Sequence, residues 1–123
     1  MNFEFKPAGV DESKPLLYMW QITDDEGLIV YRYVGKAQGG SARPLKHYRR
    51  NVDNYIAGKP YRKSKPDQWR AVHKWLIWAV LTERPITLFL IRNVLEGENI
   101  YTAEAIASET YCGKPFLPFP PVE

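Results

Sequence analysis

Alternating apolar and polar positions near the start of the chain predict a β-hairpin. Residues 16–23 (LLYMWQIT) and 28–35 (LIVYRYVG) are rich in β-branched and aromatic residues, and an Asp-Asp-Glu-Gly turn separates them. Because side chains alternate between the two faces of a strand, Tyr18 and Tyr33 each project from one face of their own strand. In a matching register, the two tyrosines meet on one side of the hairpin.

The hairpin is followed by two segments that predict helices. The first helix is expected to span about fifteen residues, with Ser41 as its N-cap, Pro44 in its first turn and its end near Gly58. The basic segment 59–66 is interpreted as a loop. Asp67 is a suitable cap for the second helix.

The second helix is expected to supply core residues from one stripe at helical spacing. Arg70 and Lys74 fall away from that stripe, and His73 is interpreted as a solvated residue on the polar side. The stripe itself is formed by Trp69, Val72, Leu76 and Ala79.

A third strand and a third helix complete the pattern. Pro85 ends the second helix, and residues 86–94 (ITLFLIRNV) are apolar enough on both faces for a central strand. The third helix is expected to begin at Thr102 and to stop at Gly113. This order predicts an α+β fold with a small, three-stranded, mainly antiparallel sheet flanked by about three helices.

The length and composition favour one domain over residues 1–123, with a leader (1–14) and an extended Pro-rich tail (114–123). Cys112 is the only cysteine, so a disulfide within the chain is excluded and a reducing compartment fits. The N-terminal segment lacks the features of a signal peptide, and no apolar run is long enough for a bilayer. We therefore expect a cytoplasmic protein without a membrane partner.

The charge is distributed unevenly along the chain. The net charge is +3, but residues 43–74 alone carry ten Lys or Arg against two Asp, a local net charge of +8. Such a segment is typical of a protein that binds a polyanion, although a solvated helix face beside a basic loop gives the same pattern. The candidate nucleic-acid-binding residues are Lys46, Arg49, Arg50, Arg62, Lys63 and Lys65.

Residues suited to phosphodiester chemistry occur at the end of the hairpin and just after it. Hydrolysis of a phosphodiester needs a base for the attacking water, a cation for the phosphate and, in most cases, a metal held by carboxylate. The second strand ends in Tyr33-Val-Gly-Lys36, and Arg43 and His47 follow. Arg43 and His47 are four residues apart and share one face of the predicted helix.

This spacing resembles the second half of the motif of the GIY-YIG nuclease family. Tyr18 resembles the tyrosine of the first half, and Glu104-Ala resembles the metal-binding segment that follows the third strand in that family. The resemblance covers about residues 16–118, and it implies a small, single-domain endonuclease.

The resemblance also implies roles for individual residues. Either Tyr18 or Tyr33 accepts the proton of the water, Arg43 binds the scissile phosphate, and Glu104 holds one Mg²⁺ or Mn²⁺ ion. The catalytic set is completed by Lys36 and His47, which assist. A tyrosine has an ordinary pKa of about 10, so nearby cations must favour its phenolate form.

The leading expectation is a metal-dependent endonuclease that acts on DNA, with RNA as an alternative substrate. A second interpretation is a catalytically weakened or inactive nucleic-acid-binding module, which two departures from the family pattern favour: Leu17-Tyr18-Met19 replaces Gly-Ile-Tyr, and Pro118 lies where the family has Asn. A third is an interaction domain for a protein partner. The nuclease elements occupy nearly the whole chain, so sequence specificity is expected to come from loops, a homo-oligomer or a recognition partner, or to be low.

Overall fold

Strands and helices of the computed structural model form an α+β fold with a mixed sheet in the order β1-β4-β2-β3. The structure describes residues 1–61, 69–113 and 116–121. No helix in these described ranges has both the length and the apolarity to cross a membrane. The elements are β1 (Glu4–Lys6), β2 (Leu16–Thr23), β3 (Ile29–Ala37), a π-helical turn (Arg43–His47), α1 (Tyr48–Ile56), α2 (Ala71–Leu81), β4 (Ile86–Asn93) and α3 (Ile100–Cys112).

The predicted hairpin is confirmed. Strands β2 and β3 pair antiparallel, with Tyr18 opposite Gly35 and Trp20 opposite Tyr33. The rings of Tyr18 and Tyr33 therefore lie on the same side of the sheet, with their centroids 6.5 Å apart. The hairpin thus brings the two candidate bases together.

The sheet has four strands, which corrects the expected three. Strand β4 is central as predicted, because it pairs antiparallel with β2 and parallel with β1. Strand β1 was missed because it has only three residues, and a short strand gives little periodic signal. Its pairing places Phe5 opposite Leu88, and the neighbouring Phe3 packs edge-to-face on Trp20 at 4.9 Å.

Two layers of helices cover the two faces of the sheet. One face packs against α1 and α2, and the core there includes Trp20, Val52 and Leu76. The other face packs against α3, where Leu17 and Ala107 belong to a second, smaller core. The end of β3 lies between these layers, so residues there can meet side chains from both helical layers.

The first helical segment runs from Arg43 to Ile56, which is close to the predicted extent. Ser41 is not its N-cap. The hydroxyl of Ser41 instead donates a hydrogen bond to Glu12 Oε1 at 2.8 Å, which ties the segment to the N-terminal leader. Pro44 has no N–H to donate, and the first turn winds as a π-helix.

The third helix begins at Ile100, two residues before the expected Thr102. The side chain of Asn99 accepts hydrogen bonds from the backbone N–H groups of Tyr101 and Thr102, which makes Asn99 the N-cap. The helix ends at Cys112, and the stop at Gly113 is confirmed. For α2, the expected cap Asp67 lies outside the described residues.

Part of the Pro-rich tail lies along the core. The Leu117 carbonyl accepts a hydrogen bond from Trp75 Nε1 at 2.8 Å, and the Phe116 ring lies 5.9 Å from the Tyr31 ring. Tyr31 itself stacks on Trp75 at 4.8 Å. Phe116 and Leu117 therefore lie against the aromatic edge of the core.

Candidate active site

The predicted catalytic residues line one cleft at the end of β3, which we call the main cleft. Its volume is about 500 Å³. Strands β2 and β3 contribute to one wall, the π-helical turn to another, and α3 to a third. The predicted residues that line it are Tyr18, Tyr33, Lys36, Arg43, His47 and Glu104.

Tyr18 forms the buried back of the main cleft. Only 3% of its surface is exposed, and its hydroxyl shares a 2.7 Å hydrogen bond with the hydroxyl of Tyr48. Burial raises the pKa of Tyr18 well above its usual value, and Tyr48 adds to the rise. Burial likewise raises the pKa of Tyr48 to about 12. Both hydroxyls therefore stay protonated at neutral pH.

Gly35 leaves the space that the Tyr18 ring occupies. A Cβ atom at residue 35 would overlap the Tyr18 ring, whereas a Cβ at Gly39 would meet no atom within 4 Å. We expect Gly35→Ala to lower the free energy of unfolding by about 1–3 kcal/mol through overpacking, because the buried ring must move. Gly39→Ala is the matched control. Urea unfolding of both variants measures the difference, and equal stabilities would contradict the close packing of Tyr18 on Gly35.

Tyr33 is more accessible and contacts an arginine that sequence reasoning missed. Arg70, immediately before α2, donates a hydrogen bond from Nη2 to the Tyr33 hydroxyl. Its guanidinium carbon also lies 5.4 Å from the centre of the Tyr33 ring, and Arg70 lines the main cleft. Periodicity placed Arg70 off the core stripe, but only the tertiary packing of α2 on the hairpin brings it to Tyr33.

Glu104 and Lys36 face each other across the main cleft. Lys36 Nζ lies 3.3 Å from each of the two carboxylate oxygens of Glu104, and 4.7 Å from the centre of the Tyr101 ring. Both charged side chains are about three-quarters buried. Lys36 of β3 thus holds the carboxylate of Glu104, from α3, at the main cleft.

Arg43 and His47 lie at the two ends of the π-helical turn, and both line the main cleft. Pro44, between them, is buried and anchors the turn against the core. The expected shared face is therefore observed. The side chains of Arg43 and His47 make no hydrogen bond or ion pair with the part of the chain that the structure describes.

His73 is buried, which corrects the expectation of a solvated residue. Only 2% of its surface is exposed, because α2 packs against α1 on the side where His73 lies. Its Nδ1 accepts a hydrogen bond from the backbone N–H of Arg70 at 3.3 Å. Burial, together with the charge of Arg70, lowers the pKa of His73 to about 4, so the ring is neutral at physiological pH.

The buried neutral ring predicts a pH-dependent stability. The pKa of His73 falls from 6.5 in the unfolded chain to about 4 in the fold, so the unfolded chain takes up the proton first as the pH drops. The contribution of the neutral ring to the free energy of unfolding is fully present above pH 6.5. It declines as the pH drops below 6.5 and is lost as the pH falls through 4. We expect it to reach about 3 kcal/mol. Urea unfolding across this pH range should show that the free energy of unfolding declines more steeply for the wild type than for His73→Gln. Parallel curves for the two proteins would contradict the role of His73.

The predicted nucleic-acid-binding residues do not all lie at the cleft. Arg50 lines a smaller cavity beside it. Arg49 points elsewhere, because its Nε donates to the Met1 carbonyl at 2.9 Å and its guanidinium covers the Phe3 ring. Lys46 is exposed on the π-helical turn. The other three predicted residues, Arg62, Lys63 and Lys65, lie outside the described residues.

Glu104 is the carboxylate available to a metal in the main cleft. Within the described ranges, no group of three or more His, Cys, Asp or Glu side chains could together hold a metal ion. This donor set fits Mg²⁺, which keeps several waters and is commonly held by one or two carboxylates together with substrate phosphates. It does not fit a structural zinc site, which needs four protein ligands.

Comparisons with protein-family models, with curated proteins and with solved structures found no match to this chain.

Proposed function

We propose that the chain is a divalent-metal-dependent endonuclease of the GIY-YIG type that hydrolyses phosphodiester bonds in DNA. The observation that carries the proposal is that six residues chosen for this chemistry, from four separate elements, line one cleft of about 500 Å³. Residues 18 and 104 are far apart in sequence, and the fold brings them together. A cleft of this size can admit a segment of a nucleic-acid backbone.

In this proposal Tyr33 is the general base. Its oxygen is accessible from the main cleft and receives a hydrogen bond from Arg70. The form that acts as the base is the phenolate, which takes the proton of the attacking water and becomes the neutral hydroxyl, while Arg70 holds the oxygen in place. Tyr18 is the weaker candidate, because its buried hydroxyl is bonded to Tyr48 and its pKa is raised. Tyr18 then acts as the support against which Tyr33 is placed.

Arg43 binds the scissile phosphate. Its planar guanidinium can donate two parallel hydrogen bonds to phosphate oxygens, and it has no partner among the described residues that would compete. His47, on the same face of the π-helical turn, assists at the same phosphate.

Glu104 would hold one Mg²⁺ or Mn²⁺ ion, with Lys36 beside it. The ion supplies neutralisation of the charge that develops on the phosphate oxygens. Lys36 keeps the carboxylate in the cleft and, once released from it, can donate to the phosphate. The ion pair between Lys36 and Glu104 also means that metal binding must compete with an ammonium group at 3.3 Å.

Cleavage of DNA tests the proposal. The purified chain with Mg²⁺ or Mn²⁺ is expected to nick supercoiled plasmid, and Arg43→Ala is expected to lower the rate by at least about a hundredfold, as for loss of one transition-state donor. Arg49→Ala removes the same charge from a site away from the cleft and should retain most of the activity. Equal rates for the two variants would contradict the role of Arg43, and absence of nicking by the wild type would contradict the enzyme.

The Lys36–Glu104 ion pair also favours a second candidate function, a nucleic-acid-binding module on the same fold without cleavage. If the ammonium group is not displaced, Glu104 has no free carboxylate for a metal. This alternative predicts salt-sensitive DNA or RNA binding that Mg²⁺ does not change. Cleavage above that of the Glu104→Gln variant would exclude it.

The proposal includes a cytoplasmic location and a nucleic-acid partner. The lone Cys112 fits a reducing compartment, since its thiol donates to the Arg32 carbonyl at 3.6 Å and has no cysteine partner. Sequence specificity would come from surface loops, from a homo-oligomer or from a recognition partner. Analytical ultracentrifugation with and without DNA tests the homo-oligomer.

A further inference from the structure

A second cavity lies beside the main cleft, between the first helical segment and the start of α2, and we call it the side cavity. Its volume is about 190 Å³, far above the roughly 10–15 Å³ that admits one water. Three residues, Arg43, His47 and Arg70, line both the side cavity and the main cleft. The two spaces are therefore contiguous through basic side chains.

The side cavity concentrates positive charge without a balancing carboxylate. Arg43, Arg50 and Arg70 line it, and no acidic side chain of the described ranges does. Guanidinium groups stay protonated in proteins, so three of them around a small cavity repel one another until an anion enters. By contrast, Arg92 is paired with Glu98 at 2.7 Å. Among the described residues, Arg43 and Arg50 have no such partner.

The wall of the side cavity also offers a neutral donor. His73 Nδ1 accepts a hydrogen bond from the Arg70 N–H, so the proton of the neutral ring sits on Nε2. Nε2 lies 3.3 Å from Asn51 Nδ2. With this tautomer, Nε2–H donates to Asn51 only when the amide is turned so that Oδ1 faces the ring, and the NH₂ group is then available as a donor. His73 thereby fixes both Asn51 and the backbone of Arg70.

We propose that the side cavity binds a phosphate group of the nucleic-acid strand next to the scissile phosphate, with Arg50 and Asn51 as the residues specific to it. The inference rests on the proposed function, which places the scissile phosphate in the main cleft. The contact is to the backbone and carries no base preference, so it positions the strand. The phosphate is an internal phosphodiester, and a terminal phosphomonoester is the other source of the same chemistry.

Binding of a short DNA duplex by the full chain tests the side cavity without requiring cleavage. Affinity is measured by fluorescence anisotropy over a range of salt concentrations, in the Glu104→Gln background so that the strand stays intact. Arg50→Ala is expected to weaken binding about tenfold or more, as for loss of a charge-assisted contact, and to reduce the slope of log affinity against log salt by about one. Arg49→Ala is the matched control.

The control is closely matched because Arg49 and Arg50 are neighbours in sequence. Arg49 and Arg50 both lie on α1, yet Arg49 covers Phe3 while Arg50 lines the side cavity. Equal losses of affinity and of salt slope in the two variants would overturn the inference. Urea unfolding should show that both variants are folded under the binding conditions, with a small loss of stability in Arg49→Ala because its contacts with Met1 and Phe3 are removed. A folding defect is then excluded as the cause of a loss specific to Arg50→Ala.

A second measurement locates the phosphate. A single uncharged methylphosphonate is placed at each position around the mapped cleavage site, and the cleavage rate is measured with Mg²⁺. One position next to the scissile phosphate should slow the wild type and Arg49→Ala, but should add no further loss in Arg50→Ala. If the Arg50 effect instead requires a 5′-terminal phosphate on the duplex, the assignment to an internal phosphate is wrong.

The two proposals can fail separately. Cleavage by the wild type with identical behaviour of Arg49→Ala and Arg50→Ala would overturn the side cavity and leave the nuclease intact. Binding that is selectively lost in Arg50→Ala, without any cleavage by the wild type, would support the phosphate site and overturn the enzyme.

Discussion

Replacing Glu104 with glutamine is expected to abolish metal-dependent cleavage. Glu104 is the carboxylate that lines the main cleft, and an amide oxygen lacks the charge that holds a hard divalent ion. We expect the rate to fall to the level measured with a chelator, and excess Mn²⁺ should not restore it. Plasmid nicking at increasing metal concentration is the measurement.

The loss of cleavage in Glu104→Gln should come from the catalytic step and not from unfolding of the variant. Among the described residues, Glu104 is paired only with Lys36, and a partly exposed ion pair contributes about 0.2–1 kcal/mol. Glu109→Gln provides a matched control on the exposed side of the same helix. A Glu104→Gln variant that still cleaves at the wild-type rate in Mg²⁺ would remove Glu104 from the proposed mechanism.

Local sequence patterns were sufficient for the parts of the fold that are long and periodic. The hairpin and the central strand β4 were predicted within one or two residues, because each has continuous apolar or alternating positions. Strand β1 was not predicted, since three residues flanked by Pro7 carry too little periodicity. The start of α3 differs from the predicted Thr102 because Asn99, a strong N-cap residue, caps the helix two residues earlier.

The candidate site shows the same division between local and tertiary information. Tyr33, Lys36, Arg43 and His47 are close in sequence, so their grouping follows from one strand end and one helical turn. Arg70 could not be placed in this way. Its contact with Tyr33 depends on how α2 packs against the hairpin.

His73 illustrates why periodicity alone misplaces a residue. A helix that packs on a sheet and on another helix buries more than one stripe. α2 contacts both the sheet and α1, so the side predicted to be polar is covered by α1. The signal that could have indicated burial is the apolar run that follows it, WLIWAVL, which leaves α2 with little polar surface.

The pair of substitutions Tyr33→Phe and Tyr18→Phe is expected to separate the two tyrosines by function. Each removes one hydroxyl and keeps the ring. We expect Tyr33→Phe to lower kcat by about 10²–10⁴-fold, the usual contribution of a general base, with little change in stability, because Tyr33 is accessible from the main cleft.

Tyr18→Phe is expected to lower the stability of the fold and to leave most of the activity. It leaves the buried Tyr48 hydroxyl without its 2.7 Å partner, which costs about 1–3 kcal/mol of stability. Activity at a temperature where the variant is folded should stay within about tenfold of the wild type, since the hydroxyl of Tyr18 is buried, bonded and held protonated by its raised pKa. Kinetics and urea unfolding on both variants give the comparison. If Tyr18→Phe loses the larger part of kcat while Tyr33→Phe remains active, Tyr18 is the base, and Arg70 acts on Tyr33 only to position it.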